Sequence, residues 1–115
     1  MKNIILERDK WADALARLWK QLDGKKVQVE VEALKLGDQI EAEHVPLKGL
    51  SYDPRDNVVQ VWVGEIDHLI HRPEKIIGVL DDDGKLVGID ITDAEGEQHL
   101  ITPQEPVAID EAALA

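Results

Sequence analysis

The segment from Asp67 to Pro73, DHLIHRP, places one carboxylate and two imidazoles within five residues. Groups of these types can hold a divalent metal or pass a proton, because neutral imidazole and ionised carboxylate are both ligands and bases. What they can do together depends on the element that carries them. On a strand, residues two apart share a face, so Asp67, Leu69 and His71 point one way while His68, Ile70 and Arg72 point the other. A helix would bring the two histidines together, but Pro73 ends the segment too soon for one. The strand therefore offers Asp67 with His71, or His68 alone, as candidate ligand-binding residues. A zinc site would need His44, His99 or further carboxylates from elsewhere, since the chain has no cysteine. The pattern favours a strand with hydrogen-bonded or solvent-facing histidines over a metal site, and neither a metal nor another cofactor is expected.

Other groups point less clearly to chemistry. Asp81-Asp82-Asp83-Gly84 clusters hard oxygen ligands, yet it lacks the alternating acidic positions and distal glutamate of a calcium loop and reads as a hairpin turn. Glu41 and Glu43 share a strand face that solvation explains as well as acid–base work does. Ser51, the only serine, has no nucleophile-elbow neighbours. The eight glycines are scattered without a phosphate-cradling spacing. No catalytic residue is assigned, and the balance leans away from an enzyme.

Trp62 carries a different signal. Alternation sets Val59, Val61 and Val63 on one face and Val58, Gln60 and Trp62 on the other. If the valines enter the core, Trp62 either packs under a helix or, with Val58, anchors a partner.

The elements that must position these residues are readable from periodicity. After Asp9, a plausible N-cap, Trp11, Ala14, Leu15, Leu18 and Leu22 recur at steps of three and four, which predicts a helix over about 9–23 that Gly24 stops in a left-handed conformation. Val27, Val29, Val31 and Ala33 then alternate with polar residues as in a half-buried strand. Further strands are expected at Gln39–Val45, Lys48–Tyr52, Val58–Val63, His68–Arg72, Ile76–Asp81, Leu86–Ile91 and Gln98–Ile101. The turns DPRDN, DDDGK and DAEGE separate some of these runs. The expected fold is mainly β with one N-terminal helix, an antiparallel barrel or sandwich of the SH3 or Sm-like kind, filling one domain over 1–102. Residues 103–115, with two prolines and a weak helical run, read as a loosely attached tail.

At LGDQIEAEHVPLKGLSYDPRDNVVQVWV and then DHLIHRP, the chain resembles the domain of unknown function 5335 family, small bacterial proteins. The order of features carries the resemblance: a helix with early Trp11, LGDQ-x-EA at Leu36–Ala42, PL-x-G at Pro46–Gly49, turn-forming Asp53 and Asp56, and DHL-x-H. It covers roughly residues 5–101 and implies a bacterial domain, without catalytic residues to carry over. LKGLSYDPRDNVVQV is also similar to the strand–turn–strand run of Sm-like barrels. That similarity would put Tyr52, Asp53 and Asn57 at the places where RNA-binding members stack and bond a base.

Charge argues against that function. The chain carries 24 acidic and 13 basic residues, for a net charge of −11, and between Asp81 and Ala115 ten carboxylates face one lysine. Such a field repels phosphate backbones and anionic membranes, so neither nucleic acid nor membrane is an expected partner. The opening MKNIILERDKW is too short in apolar residues for a signal segment, and the absence of cysteine fits a reducing compartment. The sequence thus points to a cytoplasmic, non-catalytic protein-binding or assembly module, with a protein partner or a second copy at Trp62 and Val58. The alternative is a small-molecule or metal-binding protein that uses histidines from several strands.

Overall fold

The structure, a computed structural model, describes residues 1–33 and 37–114. Leu36, which opens the LGDQ segment, and Ala115 lie outside them. The architecture is mainly β with one helix, as the periodicities require. In chain order it runs β1 (Lys2–Ile5), a 3-10 turn (Arg8–Lys10), α1 (Trp11–Leu22), β2 (Lys26–Ala33), β3 (Gly37–Asp53), β4 (Val58–Val63), β5 (Ile66–His71), β6 (Pro73–Leu80), β7 (Leu86–Asp93), β8 (Gln98–Pro103) and a final 3-10 turn (Glu111–Leu114). The strands form one antiparallel sheet in the order β1-β6-β7-β8-β2-β3-β4-β5. This sheet is not closed, so the barrel is the form of the expectation that does not occur: β1 and β5 are its two ends.

β3 makes the sheet curl. Its 17 residues join two runs that the sequence separates, Gln39–Val45 and Lys48–Tyr52. The first part, Gly37–Pro46, pairs with β2 and the second, Leu47–Asp53, pairs with β4. Between them His44 adopts φ 54° and the register with β2 shifts around Val29, a bulge that bends the strand and raises its twist. Pro46 is tolerated in this bend, where it offers no N–H but its carbonyl accepts from Gly64 N–H at 3.0 Å. The short β1, absent from the sequence reading, has only Ile4 and Ile5 as apolar residues. It is held by its register on β6, from Lys2 opposite Leu80 to Ile5 opposite Ile77.

α1 buries the stripe that its spacing predicts, Trp11, Ala14, Leu15, Leu18 and Leu22. Asp9 is not its cap: it lies inside the preceding 3-10 turn, and Lys10 takes the cap position without a side-chain bond. Trp11 Nε1–H instead donates to the Leu6 carbonyl at 3.2 Å, tying the helix start to the chain that leaves β1. Gly24 stops the helix at φ 77°, as expected, and its N–H donates to the Leu47 carbonyl on β3. The core is aliphatic, with Val59, Val61, Val63, Ile76, Ile91 and their neighbours fully enclosed. The segment after Pro103, read from sequence as a loose tail, is docked. Val107 exchanges two backbone hydrogen bonds with Leu86, and Leu114 is buried against Gly78.

Candidate functional site

The second half of β3 forms with β4 and β5 a three-stranded layer whose two faces hold Val58, Trp62, Asp67, His68 and His71. The inward rungs are Leu47–Val63–Ile66, Leu50–Val61–His68 and Tyr52–Val59–Ile70. The outward rungs are Gly49–Trp62–Asp67, Ser51–Gln60–Leu69 and Asp53–Val58–His71. His68 and His71 therefore diverge, as strand geometry demands, and Asp67 follows His71 outward. The three valines are completely buried and Trp62 is 44 % exposed, so Trp62 does not lie beneath the helix.

The outer face is a shallow apolar and acidic surface. A concavity of about 440 Å³ is lined by Ser51, Asp53, Asp56, Val58, Gln60, Leu69 and His71. Trp62 lies one rung beyond it, packed over Gly49, whose missing side chain gives the indole room. Lys48 Nζ stands 5.8 Å from the indole centre, and Gln60 Nε2–H donates to Asp67 at 2.8 Å. Leu69 is as exposed as Trp62.

On the inner face His68 reaches across the curled sheet to β8. Its Nε2 lies 2.9 Å from His99 Nδ1, and His99 Nε2 lies 2.9 Å from Asp93 Oδ2. Asp93 and His99 are buried; His68 is half-buried. Burial alone would raise the Asp93 carboxyl, but the His99 bond and the N–H groups of Glu97 and Glu95 outweigh it and hold it below its ordinary range. Asp93 is therefore ionised and accepts only, so His99 donates from Nε2, and its Nδ1 lone pair accepts from His68 Nε2–H. Desolvation, with His99 charge adding to it and Glu41 opposing, pushes His68 below the ordinary imidazole range. The result is a chain of two imidazoles that ends on a buried carboxylate. Chemically such a chain can relay a proton or present imidazole nitrogens to a cation.

Of this trio, His68 was a sequence candidate and His99 was named among the further ligands that a zinc site would need, whereas Asp93 was missed. Asp93 sits in DAEGE, a turn signal, and does that work as well: its Oδ1 accepts both turn N–H groups that close the β7–β8 hairpin. Glu97 brings a third oxygen near Asp93 and His99. A second acidic group, Glu30, Glu32 and Asp38, lies on β2 and β3 and is matched by Asp90 on β7. Asp81 caps its own turn by accepting from Asp83 and Lys85 N–H, as a hairpin tip should.

Tyr52, proposed by spacing for base stacking, faces inward. Its ring meets Trp11 edge-on at 5.2 Å and 88°, and its hydroxyl donates to Asn57 Oδ1 at 2.8 Å. Both residues of that pair are thus engaged with each other, and the Sm-like similarity finds no support in this arrangement.

Comparison with known proteins returns a relative without an assigned role. The chain is 36 % identical over 107 residues to an uncharacterised protein of Aquifex aeolicus, covering 92 % of this chain and 96 % of that one. No solved structure matches. A family profile matches residues 2–112, nearly the whole length, and places the chain in the family of unknown function DUF5335.

Proposed function

We propose that this protein is a non-catalytic binding module that takes a basic segment of a protein partner on the outer face of β3–β5. The observation that carries the reading is Trp62, 44 % exposed in a rigid strand beside Leu69 at 43 %, on a face whose other side already buries three valines. A large aromatic held in the open on a fixed scaffold gains most from being covered, and such residues dominate binding energies when they are. Asp53, Asp56 and Asp67 border the apolar residues, so cations on the partner find carboxylates around an apolar centre. The net charge of −11 opposes approach of a second copy and favours a basic partner. Among the described residues β5 has a strand neighbour only on the β4 side, which leaves its other edge for an added extended segment. The acidic surface and the engaged Tyr52 both speak against nucleic acid as the ligand. A cytoplasmic place fits the cysteine-free composition.

Photo-crosslinking from position 69 in the native cell tests the reading. The expected product joins this chain to a basic segment of another protein, and Trp62→Ala abolishes it while circular dichroism stays unchanged. With the purified pair, Trp62→Ala should weaken binding about 30-fold, the equivalent of a hot spot worth roughly 2 kcal/mol. Crosslinks only to a second copy, or unfolding on loss of Trp62, would remove the proposal. A second reading, a ligand site built from histidines on several strands, is favoured by one observation: the His68–His99 contact between β5 and β8.

A further inference from the structure

We propose that His68 Nε2 and His99 Nδ1 form a binding site for a zinc-class divalent cation, with Asp93 as the carboxylate that orients His99. This inference rests on the second reading above and is independent of the Trp62 face. The two nitrogens lie 2.9 Å apart and face one another from different strands. Two imidazole ligands on a tetrahedral zinc, each about 2.0–2.1 Å from the metal, stand about 3.3 Å apart, so a separation of a few tenths of an ångström, with each ring tilted by roughly 35° to aim its lone pair at a common point, converts the hydrogen bond into a coordination pair. The proton between them need not leave the protein. When His68 shifts from its Nε2–H to its Nδ1–H tautomer, both facing nitrogens present lone pairs and both rings stay neutral.

Asp93 makes this more than a pair of neighbouring rings. Its Oδ2 accepts His99 Nε2–H at 2.9 Å, which fixes the tautomer and aims Nδ1 at His68, the arrangement that orients metal-bound histidines. Among the described residues, Asp93 and His99 are the only buried polar or charged groups. Closing the β7–β8 turn requires only Asp93 Oδ1, so turn formation leaves the burial of His99 unexplained. His68 is half-buried, which leaves water free to complete the coordination, and Glu41 is close enough to act on the His68 charge.

Titration of the purified full chain with zinc alone, followed by calorimetry and by imidazole ¹⁵N shifts, decides the matter. The expected result is one zinc per chain, with the ¹⁵N changes at His68 Nε2 and His99 Nδ1. His68→Ala and His68→Gln should each weaken binding roughly tenfold or more, the glutamine variant doing so while its amide can still donate to His99 and keep the fold. His71→Ala, His44→Ala and Glu32→Gln should bind as the parent does. Zinc uptake that survives both His68 variants, that is lost with Glu32→Gln, or that fails at roughly tenfold excess would overturn the site.

Discussion

At the scale of single residues, Asp93 is the most consequential side chain in the molecule. It accepts two turn amides with one oxygen and the His99 ring with the other. Asp93→Ala would leave a buried imidazole N–H without an acceptor, and denaturant unfolding should show a loss of about 2 kcal/mol or more. The same groups set an acid limit. Both Asp93 and His68 have folded values below their ordinary 3.8 and 6.5, so the unfolded chain takes up protons first. The stability they contribute is complete above pH 6.5 and is lost as the pH falls through the folded value of His68 and then, below 3.8, through that of Asp93. Unfolding midpoints measured from pH 7 to 3 should fall in these two stages, and His68→Gln should remove the first. A midpoint that is flat between pH 6.5 and 5 would contradict this. The phase of His68 was legible because a strand fixes direction two residues at a time. Its partner was not, because His99 lies 31 residues away and meets it only after the sheet curls.

At the scale of elements, α1 and the phase of β4 were written in their periodicities, and the tail was not. Leu114 is one apolar residue in a run of small and acidic ones, which gives no repeating signal, yet it fills the space over Gly78 where a side chain would come within 3.1–3.2 Å of it. Leu114→Ala should lower unfolding stability by about 2 kcal/mol, the low end for a buried leucine, and increase proteolysis after Pro103. An unchanged midpoint would mean that the final turn adds nothing. The continuous β3 was equally hidden, since Pro46 punctuates a strand that the bulge at His44 carries past it. On β7, burial first and then Glu32 raise the Asp90 carboxyl above its ordinary value. The stability linked to that proton is present below pH 3.8 and is lost as the pH rises through the folded value. Asp90→Asn, which cannot ionise, should therefore raise the melting temperature at pH 7 and change it little at pH 3; a lower melting temperature at pH 7 would refute the assignment.

At the scale of the whole molecule, the sheet order separates what is near in sequence from what is near in space. β3–β4–β5 and β6–β7–β8 are local antiparallel meanders, whereas β2 pairs with β8 across some seventy residues, as Val27 opposite Pro103 shows, and β1 pairs with β6 at a similar distance. Closing such long loops is entropically slow and is rewarded only afterwards. The meanders should form in the rate-limiting step and the distant pairings should follow it. Val61→Ala is then expected to slow refolding, while Ile4→Ala chiefly hastens unfolding, in stopped-flow traces. The order also has a meaning for synthesis: a ribosome delivers β1 long before β6, and β2 long before β8, although β3 follows β2 at once. Until β8 emerges, the edge of β2 turned away from β3 has no strand to lie against, and an acidic chain that repels its own copies is well suited to that wait.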